Sequence, residues 1–332
     1  MHGSCAIIVP ESVQQRFARY AWFVLGFNVI VILWGALVRA SKSGDGCGNN
    51  WPLCNGVVVP TAPRIATIIE FTHRLSTGLA LIAVVTMAIW AFRAFAPGAV
   101  RKAAAASVFF ILSEALLGAG LVLLRYVGED ASIGRALYLS AHLVNTLFML
   151  AAIALTAYWG SGRPAISWPL EGISPKLLGI ALATALLVGV SGAIAALGDT
   201  LFPVGSLREG WQADFSSASH LFIRLRIWHP FLATLGGIYT VAVTIWISRR
   251  TPQSRHFATC LLTLIALQLT AGIVNLTLLA PIWMQMIHLL LADLLWISLI
   301  LFFTSANEPR SKVAADAPAV LTWTPQKTAN AE

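Results

Sequence analysis

Long apolar runs separated by short polar segments dominate the chain from about residue 20 to residue 304. Each run approaches the ~20 residues that an α-helix needs to cross the ~30 Å apolar layer of a membrane. Charged residues, Pro or Gly bound every run and so mark the predicted helix ends. The predicted spans are 20–40, 65–92, 103–124, 136–158, 176–197, 222–248, 256–279 and 282–304. The pattern therefore predicts an all-α polytopic membrane protein with eight transmembrane helices.

The composition agrees with this class, because 58% of the residues are hydrophobic and 11% are charged, whereas a soluble domain has about 25% charged residues. The formal net charge of +8 does not indicate a nucleic-acid partner, because the basic residues lie in short segments between apolar runs. The positive-inside rule predicts that both termini are cytoplasmic, and we expect the chain to lie in the cell inner (plasma) membrane. We therefore expect contact with membrane lipid and no nucleic acid, and the sequence is compatible with a homo-oligomer.

Landmarks in the first four predicted spans recur in the same order in the last four. The segment WGALVRASKSGD (34–45) corresponds to VSGAIAALGDT (190–200), and SEALLGAGLVLL (113–124) corresponds to LQLTAGIVNLTLL (267–279). In the same way EFTHRLSTGLALI (70–82) corresponds to RIWHPFLATLGGI (226–238), and SAHLVNTLFML (140–150) to MIHLLLADLLW (286–296). We interpret the halves as duplicated four-helix bundles of the same orientation.

This interpretation divides the chain into five parts. They are a cytoplasmic amino-terminal segment (1–19), a first bundle (20–158), an inner linker (159–175), a second bundle (176–304) and a disordered cytoplasmic tail (305–332).

Four of the seven histidines lie inside predicted spans, namely His73, His142, His229 and His288. Each lies about six to eight residues after the outer start of an even-numbered span, or ~9–12 Å below the surface. A histidine in a span either binds something or forms a hydrogen bond with a neighbouring helix. Two histidines on facing helices at equal depth can hold a haem iron from both sides. Their repetition in both halves favours one haem site per half over zinc, because no Cys or carboxylate set with zinc spacing accompanies them.

Haem propionates require cations at the water interface, where the planar donor fork of arginine suits a carboxylate. The candidates near outer helix ends are Arg39, Arg74, Arg224 and Arg226. Each of them could instead be an interfacial anchor. Three small residues lie near the histidines, namely Gly78, Gly236 and Gly237. They would either let a flat macrocycle approach the backbone or only allow close packing of the helices.

Glu70 lies three residues before His73, which puts both on one helical face. It either complements the helix dipole, or serves as a general acid or base, or stabilises charge beside a haem edge. The corresponding residue of the second half is Arg226, so we expect chemistry in the first half and electron transfer or structural support in the second. Two further acids within spans, Glu114 and Asp293, are expected to lie outside the site.

Cys47 and Cys54 occur together in CGNNWPLCNG, in the first outer loop. Because that compartment is oxidising, we expect a disulfide, which is either structural or redox-active. The spacing differs from the C-x-x-C of metal and redox motifs. Cys5 and Cys260 are expected to be free thiols on or near the inner side.

Several of these segments together resemble the haem A synthase family. The resemblance covers about residues 16–305 and is carried by GALVRASKSGDGCGNNWPLCNG, EFTHR, the LVNT-containing span, RIWHP and IHLLLADLLW. It implies oxidation of the C8 methyl group of haem O to a formyl group, by successive hydroxylations and loss of water. It also implies a working partnership with haem O synthase, the protohaem farnesyltransferase.

The resemblance also implies roles for single residues. His73 and His142 would hold haem O as substrate, with Glu70 catalytic. His229 and His288 would bind haem b as cofactor. Cys47 and Cys54 match the first-loop disulfide of many members, whereas the second Cys pair that some members carry is absent from the loop 198–221.

The alternative is a dihaem b-type membrane cytochrome that passes electrons from quinol or another donor. Transfer across the membrane would place the two haems at opposite depths, whereas all four histidines are predicted at one depth. A transporter with repeat-related halves would require Gly- or Pro-broken spans that meet at the midplane. No pair of spans shows that pattern persuasively.

Overall fold

The computed structural model describes residues 11–166 and 173–309. Within these residues the secondary structure consists of ten α-helices and one 3₁₀ turn, Pro252–Ser254. The helices are α1 Glu11–Ala40, α2 Ile65–Ala94, α3 Ala99–Leu123, α4 Ile133–Gly160, α5 Ile173–Leu201, α6 Leu207–Phe215, α7 Leu221–Arg226, α8 Trp228–Ser248, α9 Arg255–Thr277 and α10 Ile282–Ala306. Eight spans are long and apolar enough to cross a membrane, with α7 and α8 together forming the sixth. The predicted class, an all-α polytopic membrane protein, is confirmed.

The predicted boundaries agree with these helices to within four residues, except at the first helix. We predicted that helix to start at residue 20, but α1 begins at Glu11. The prediction was wrong because charge does not end a helix and no Gly or Pro lies between residues 11 and 19. Phe17 is fully buried in this extension and packs edge-on against Trp90 and Phe95. The expectations for Cys5, for residues 167–172 of the inner linker and for the tail from residue 310 fall on residues outside the described ones.

The helix α6 was not predicted, although its start has a recognisable sequence signature. Ser206 accepts a hydrogen bond from the Glu209 amide at 3.2 Å, as in the first half of a capping box. The sixth span is interrupted at Ile227, between α7 and α8. Pro230 explains this break, because proline cannot donate a hydrogen bond to the carbonyl of Arg226 four residues earlier.

The helices pack in two groups of four. In the first group neighbouring helices contact in order and α4 returns to α1. In the second group α8 contacts both α5 and α9, and α10 contacts both α9 and α5. One buried cluster, around Leu150, joins the first group to residues of α10, and another, around Phe302, lies within the second group. The groups meet where α4 contacts α5 and α10 and where α1 contacts α10. Descent of the two groups from a duplication remains a prediction.

Trp296 of α10 lies at the contact between the two groups. Its side chain is 3% exposed, and its indole Nε1 donates a 2.6 Å hydrogen bond to the carbonyl of Leu147 in α4. We expect Trp296→Ala to destabilise the protein by about 3–5 kcal/mol, as is typical of a buried Trp truncated to Ala. Thermal unfolding of the purified protein in detergent would measure the loss. Trp283→Ala is the control, because Trp283 is 57% exposed, and equal effects of the two changes would contradict the packing described.

Candidate functional site

The four predicted ligand histidines lie near one end of the helix bundle, which we call the disulfide end because it carries the Cys47–Cys54 loop. They lie eight, nine, eight and six residues after the first residues of their spans, Ile65, Ile133, Leu221 and Ile282. At 1.5 Å per residue this places all four ~9–14 Å along their helices. In each group the two helices that carry the histidines alternate with helices that carry none. The arrangement leaves each pair of imidazoles facing the interior of one four-helix group.

A glycine on a neighbouring helix faces each imidazole ring. The pairs are Gly35 with His73, Gly118 with His142, Gly192 with His229 and Gly272 with His288. A Cβ atom at Gly35 or Gly192 would lie only 2.9 Å from the Cε1 atom of the facing histidine. A larger residue at either position would therefore displace the ring. These glycines were not singled out from the sequence, although the aligned segments contain all four.

The glycines that were singled out have other surroundings. A Cβ atom at Gly236 would lie 2.7 Å from Thr184 of α5, and one at Gly237 would lie 3.6 Å from Leu269 of α9. Both positions therefore correspond to close packing between helices. Within the described residues, nothing lies within 4 Å of a Cβ built at Gly78.

The second histidine pair, His229 and His288, has a defined geometry. The ring centroids are 6.3 Å apart and the ring planes are inclined at 87°. The Nδ1 atom of His229 lies 3.1 Å from the Ser191 hydroxyl. The Nε2 atom of His288 lies 3.4 Å from the amide nitrogen of Gln268, and its Nδ1 atom is buried with no hydrogen-bond partner among the described residues. A neutral amide is thus the polar neighbour of His288.

The first pair, His73 and His142, has more acidic surroundings. In the described part of the chain, neither ring's Nδ1 atom has a hydrogen-bond partner. The Glu114 carboxylate of α3 lies 3.6 Å from the Nε2 atom of His142. Sequence reasoning left Glu114 outside the site. The signal that could have found it is its position four residues before Gly118, which faces His142.

Glu70 is buried, with 3% of its surface exposed, and it lies directly under the disulfide loop. One carboxylate oxygen accepts a 2.8 Å hydrogen bond from the Cys47 backbone amide, and the other forms an ion pair with Arg74. The predicted Cys47–Cys54 disulfide is confirmed. Glu70 therefore connects the helix that carries His73 to the loop closed by the disulfide, a contact that the sequence did not predict.

The loop lies close against the first turn of α2. The Thr67 hydroxyl donates a 2.8 Å hydrogen bond to the carbonyl of Gly46. A Cβ atom at Gly46 would lie 2.5 Å from the backbone of Ala66. Only glycine therefore permits the approach that brings the Cys47 amide to the Glu70 carboxylate.

Two of the four candidate propionate arginines already have acidic partners. Arg74 pairs with Glu70 and also donates to the carbonyls of Asn50 and Leu53, at 2.6 and 2.8 Å. Arg226 pairs with Asp214 at 2.5 Å and with Asp199 at 3.1 Å. Their positive charges are thus largely compensated within the protein.

The other two candidates differ from these. Arg39 of α1 reaches the second group, where it donates to the Ala196 carbonyl and the Thr200 hydroxyl at 2.9 Å and to the Gln285 amide oxygen at 3.0 Å. All three of these partners are neutral. Arg224 is exposed near the start of the sixth span. Arg39 and Arg224 are therefore the candidates whose charge no carboxylate compensates by a hydrogen bond among the described residues.

Two further residues from the sequence reasoning lie apart from the histidine pairs. Asp293 of α10 is 1% exposed, and its Oδ2 atom has no hydrogen-bond partner within residues 11–166 and 173–309. Cys260 is a free cysteine, as predicted. Its Sγ atom lies 3.4 Å from the Ser298 hydroxyl. In the same described ranges, no group of three or more His, Cys, Asp or Glu side chains is placed to hold a metal ion.

The fold and the site together define an eight-span α-helical membrane protein with two histidine pairs near one end. The family described as cytochrome oxidase assembly protein, COX15-CtaA, matches residues 18–300. The chain is 30% identical over 283 residues to Heme A synthase of Halalkalibacterium halodurans, covering 82% of this chain and 90% of the relative. It is 28% identical over 238 residues to Heme A synthase of an Exiguobacterium species, covering 71% and 75%. The chain belongs to the haem A synthase family of cytochrome oxidase assembly proteins.

A higher identity is found with a protein of a different name. Protoheme IX farnesyltransferase of Thermus thermophilus is 44% identical over 301 residues, which cover 90% of this chain and 50% of the relative. The chain thus spans about half the length of this relative.

Proposed function

We propose that the chain is a haem A synthase, which oxidises the C8 methyl group of haem O to a formyl group by successive hydroxylations and loss of water. The observation that carries the proposal is the presence of two histidine pairs at similar depth with different acidic surroundings. The first pair has Glu70 and Glu114 beside it, and the second has Arg226 and Gln268 at the corresponding positions. Membership of the haem A synthase family supports the same division.

The residues of the second pair fit a haem held by two histidines. A metal–imidazole bond is ~2 Å long, and the centre of an imidazole ring lies about 1 Å beyond its binding nitrogen. Two imidazoles that hold one metal ion from opposite sides therefore have ring centres ~6 Å apart. The observed separation is 6.3 Å. A buried imidazole nitrogen without a partner, such as Nδ1 of His288, is costly unless it finds one. We therefore assign His229 and His288 to haem b, and by repetition His73 and His142 to haem O.

In this proposal the residues of the first half carry the chemistry. When bound, the haem groups supply redox-active iron. The Glu70 carboxylate is fixed by the Cys47 amide and by Arg74, so it keeps one orientation relative to His73. From there it can accept a proton or stabilise positive charge that develops at the methyl carbon. The corresponding Arg226 cannot do either, because it is a cation engaged with two aspartates.

For the propionates we retain the set of four arginines and give Arg39 the leading role. Its donors are partly buried, fixed and bonded only to neutral acceptors. A propionate could replace one of those acceptors and gain a charge-assisted hydrogen bond. Arg224 is exposed and could bind a second propionate. Arg74 and Arg226 would have to divide their donors between a propionate and the carboxylates that they already bind.

The proposed setting is the plasma membrane, with both termini cytoplasmic and both haem sites toward the outer face. The proposed partner is haem O synthase, which would supply the substrate. Support comes from the Thermus relative, whose name is protoheme IX farnesyltransferase and of which this chain matches about half.

Haem extraction from whole cells would test the function. The chain would be expressed, together with a haem O synthase, in a strain that lacks its own haem A synthase. We expect haem A to appear in the extract. Haem O and haem b without any haem A would contradict the proposal and favour the dihaem cytochrome.

The glycine contacts give a test of the second site that does not depend on catalysis. We expect Gly192→Ala to lower the haem b content of the purified protein several-fold, because the new methyl group would displace the His229 ring. Pyridine haemochrome absorbance per mole of protein would measure it. Gly179→Ala is the control on the same helix, since a Cβ there meets nothing within 4 Å in the described chain. Full haem content in the Gly192 variant would contradict the placement of His229 as a ligand.

A further inference from the structure

A network of polar side chains beside His142 has no counterpart among the described residues of the second half. The Glu114 carboxylate accepts hydrogen bonds from the Thr146 hydroxyl at 2.5 Å and from the Asn145 amide at 2.6 Å. The Ser113 hydroxyl in turn donates to the Asn145 amide oxygen at 2.6 Å. The network joins α3 to α4 and holds both carboxylate oxygens in place.

The repeat shows what replaces this network in the second half. With Gly118 aligned to Gly272 and His142 to His288, the four residues of the network correspond to Leu267, Gln268, Leu291 and Ala292. Three of these are apolar, and Gln268 keeps the shape of a glutamate without its charge. Gln268 still lies beside the histidine, at 3.4 Å from the Nε2 atom of His288. At this position the first half therefore has a negative charge, together with the hydrogen-bond donors that hold it, and the second half has neither.

The charge of Glu114 is not compensated by a neighbouring cation. In residues 11–166 and 173–309, its only ion-pair contact is the Nε2 atom of His142, at 3.6 Å. Glu70, by contrast, is paired with Arg74. Since its two oxygens accept hydrogen bonds from a hydroxyl and an amide, the side chain is arranged as a carboxylate anion requires. An anion beside an axial ligand stabilises the more positive oxidation state of the metal, because the attraction is strong at low dielectric.

We infer that Glu114 is a positioning residue that lowers the reduction potential of the haem bound by His73 and His142 below that of the haem bound by His229 and His288. This inference rests on the proposed function, because it takes both histidine pairs as haem sites. The second haem would then have the higher reduction potential, so an electron on the first haem is driven toward the second. The neutral Gln268 leaves the second haem the better electron acceptor.

A redox titration of the purified protein, isolated from cells that make haem O, would test the inference. We expect two midpoint potentials in the parent protein. Glu114→Gln should raise the lower one and leave the other unchanged, whereas Glu114→Asp should retain most of the parent value. The reciprocal change, Gln268→Glu, should lower the higher midpoint potential. If Glu114 has a purely structural role, its replacement would broaden or abolish a haem signal, and the opposite shifts of the two midpoint potentials would not be seen.

The results distinguish a failure of the role inferred for Glu114 from a failure of the proposed function. Two haem signals whose midpoints are both unchanged in Glu114→Gln would overturn the inference alone. A parent protein that carries no haem at the first pair would overturn the proposed function and this inference with it. Optical spectra of each variant would show whether both haems remain six-coordinate, so that a lost ligand is not mistaken for a shifted potential.

Discussion

Glu70→Gln is expected to stop haem A formation almost completely, so that haem O accumulates in the membrane. The amide keeps the size of the side chain and an oxygen for the Cys47 amide, but it loses the charge and the ability to take a proton. Loss of a general acid or base typically costs 10²–10⁴-fold in rate. Extraction of haems from cells that express the variant, with quantification of haem O and haem A, would measure the effect.

The matched control for this change is Glu129→Gln. Glu129 is a carboxylate at the same end of the bundle, with 69% of its side chain exposed and a surface ion pair with Lys42. Exposed pairs contribute only about 0–1 kcal/mol, so haem A formation should be unaffected. If the Glu70 variant makes as much haem A as this control, the catalytic role assigned to Glu70 is wrong.

His288→Ala is expected to abolish the six-coordinate, low-spin spectrum of the haem b site. The imidazole is one of two proposed axial ligands, and alanine offers no atom that could bind iron in its place. The variant protein would be purified and its optical spectrum compared with that of the parent, with haem b measured by extraction. His229→Ala should give the same result, since either change leaves a single axial ligand.

His256→Ala serves as the control for the histidine variants. His256 is exposed in the first turn of α9, at the end of the bundle away from the proposed haem sites. Its removal should leave the spectrum and the haem content at the parent level. A His288 variant that retains the parent spectrum would remove this residue from the proposed ligand set.

The parts of this fold that could be predicted from sequence are those encoded locally. Apolar runs of membrane-spanning length indicate the eight spans, and their ends agree with charge, Pro and Gly positions except at the start of the first helix. The depth of a histidine along a helix follows from counting residues from the helix start, so the amino-acid pattern alone predicts the depths of His73 and His288. The repeat then relates the two halves without knowledge of their packing.

The parts that could not be predicted depend on contacts between distant segments. The hydrogen bond from the Cys47 amide to Glu70 spans 23 residues, and nothing local to either residue encodes it. Glu114 looked like a packing residue because its neighbours Asn145 and Thr146 are on another helix. The two aspartates that engage Arg226 lie on α5 and α6, and α6 itself was not predicted. Each of these contacts arises from how helices and loops meet.

Glycine shows the same distinction. The sequence drew attention to Gly78 and Gly236 because they follow the proposed ligand histidines closely on their own helices. The structure places Gly35 and Gly192, on the preceding spans, against the imidazole rings. Which glycine faces a ligand depends on the rotation of the neighbouring helix. A sequence pattern determines that rotation only when the packing partner is known.

Conversion of haem O can be measured directly by the mass of the haem extracted from the purified chain after incubation with haem O, a reductant and air. We expect a product in which one methyl group of haem O has become a formyl group. This product should be absent when His73 or His142 is replaced by Ala. Recovery of unchanged haem O from parent protein that has both haems bound would show that the chain is not a haem A synthase.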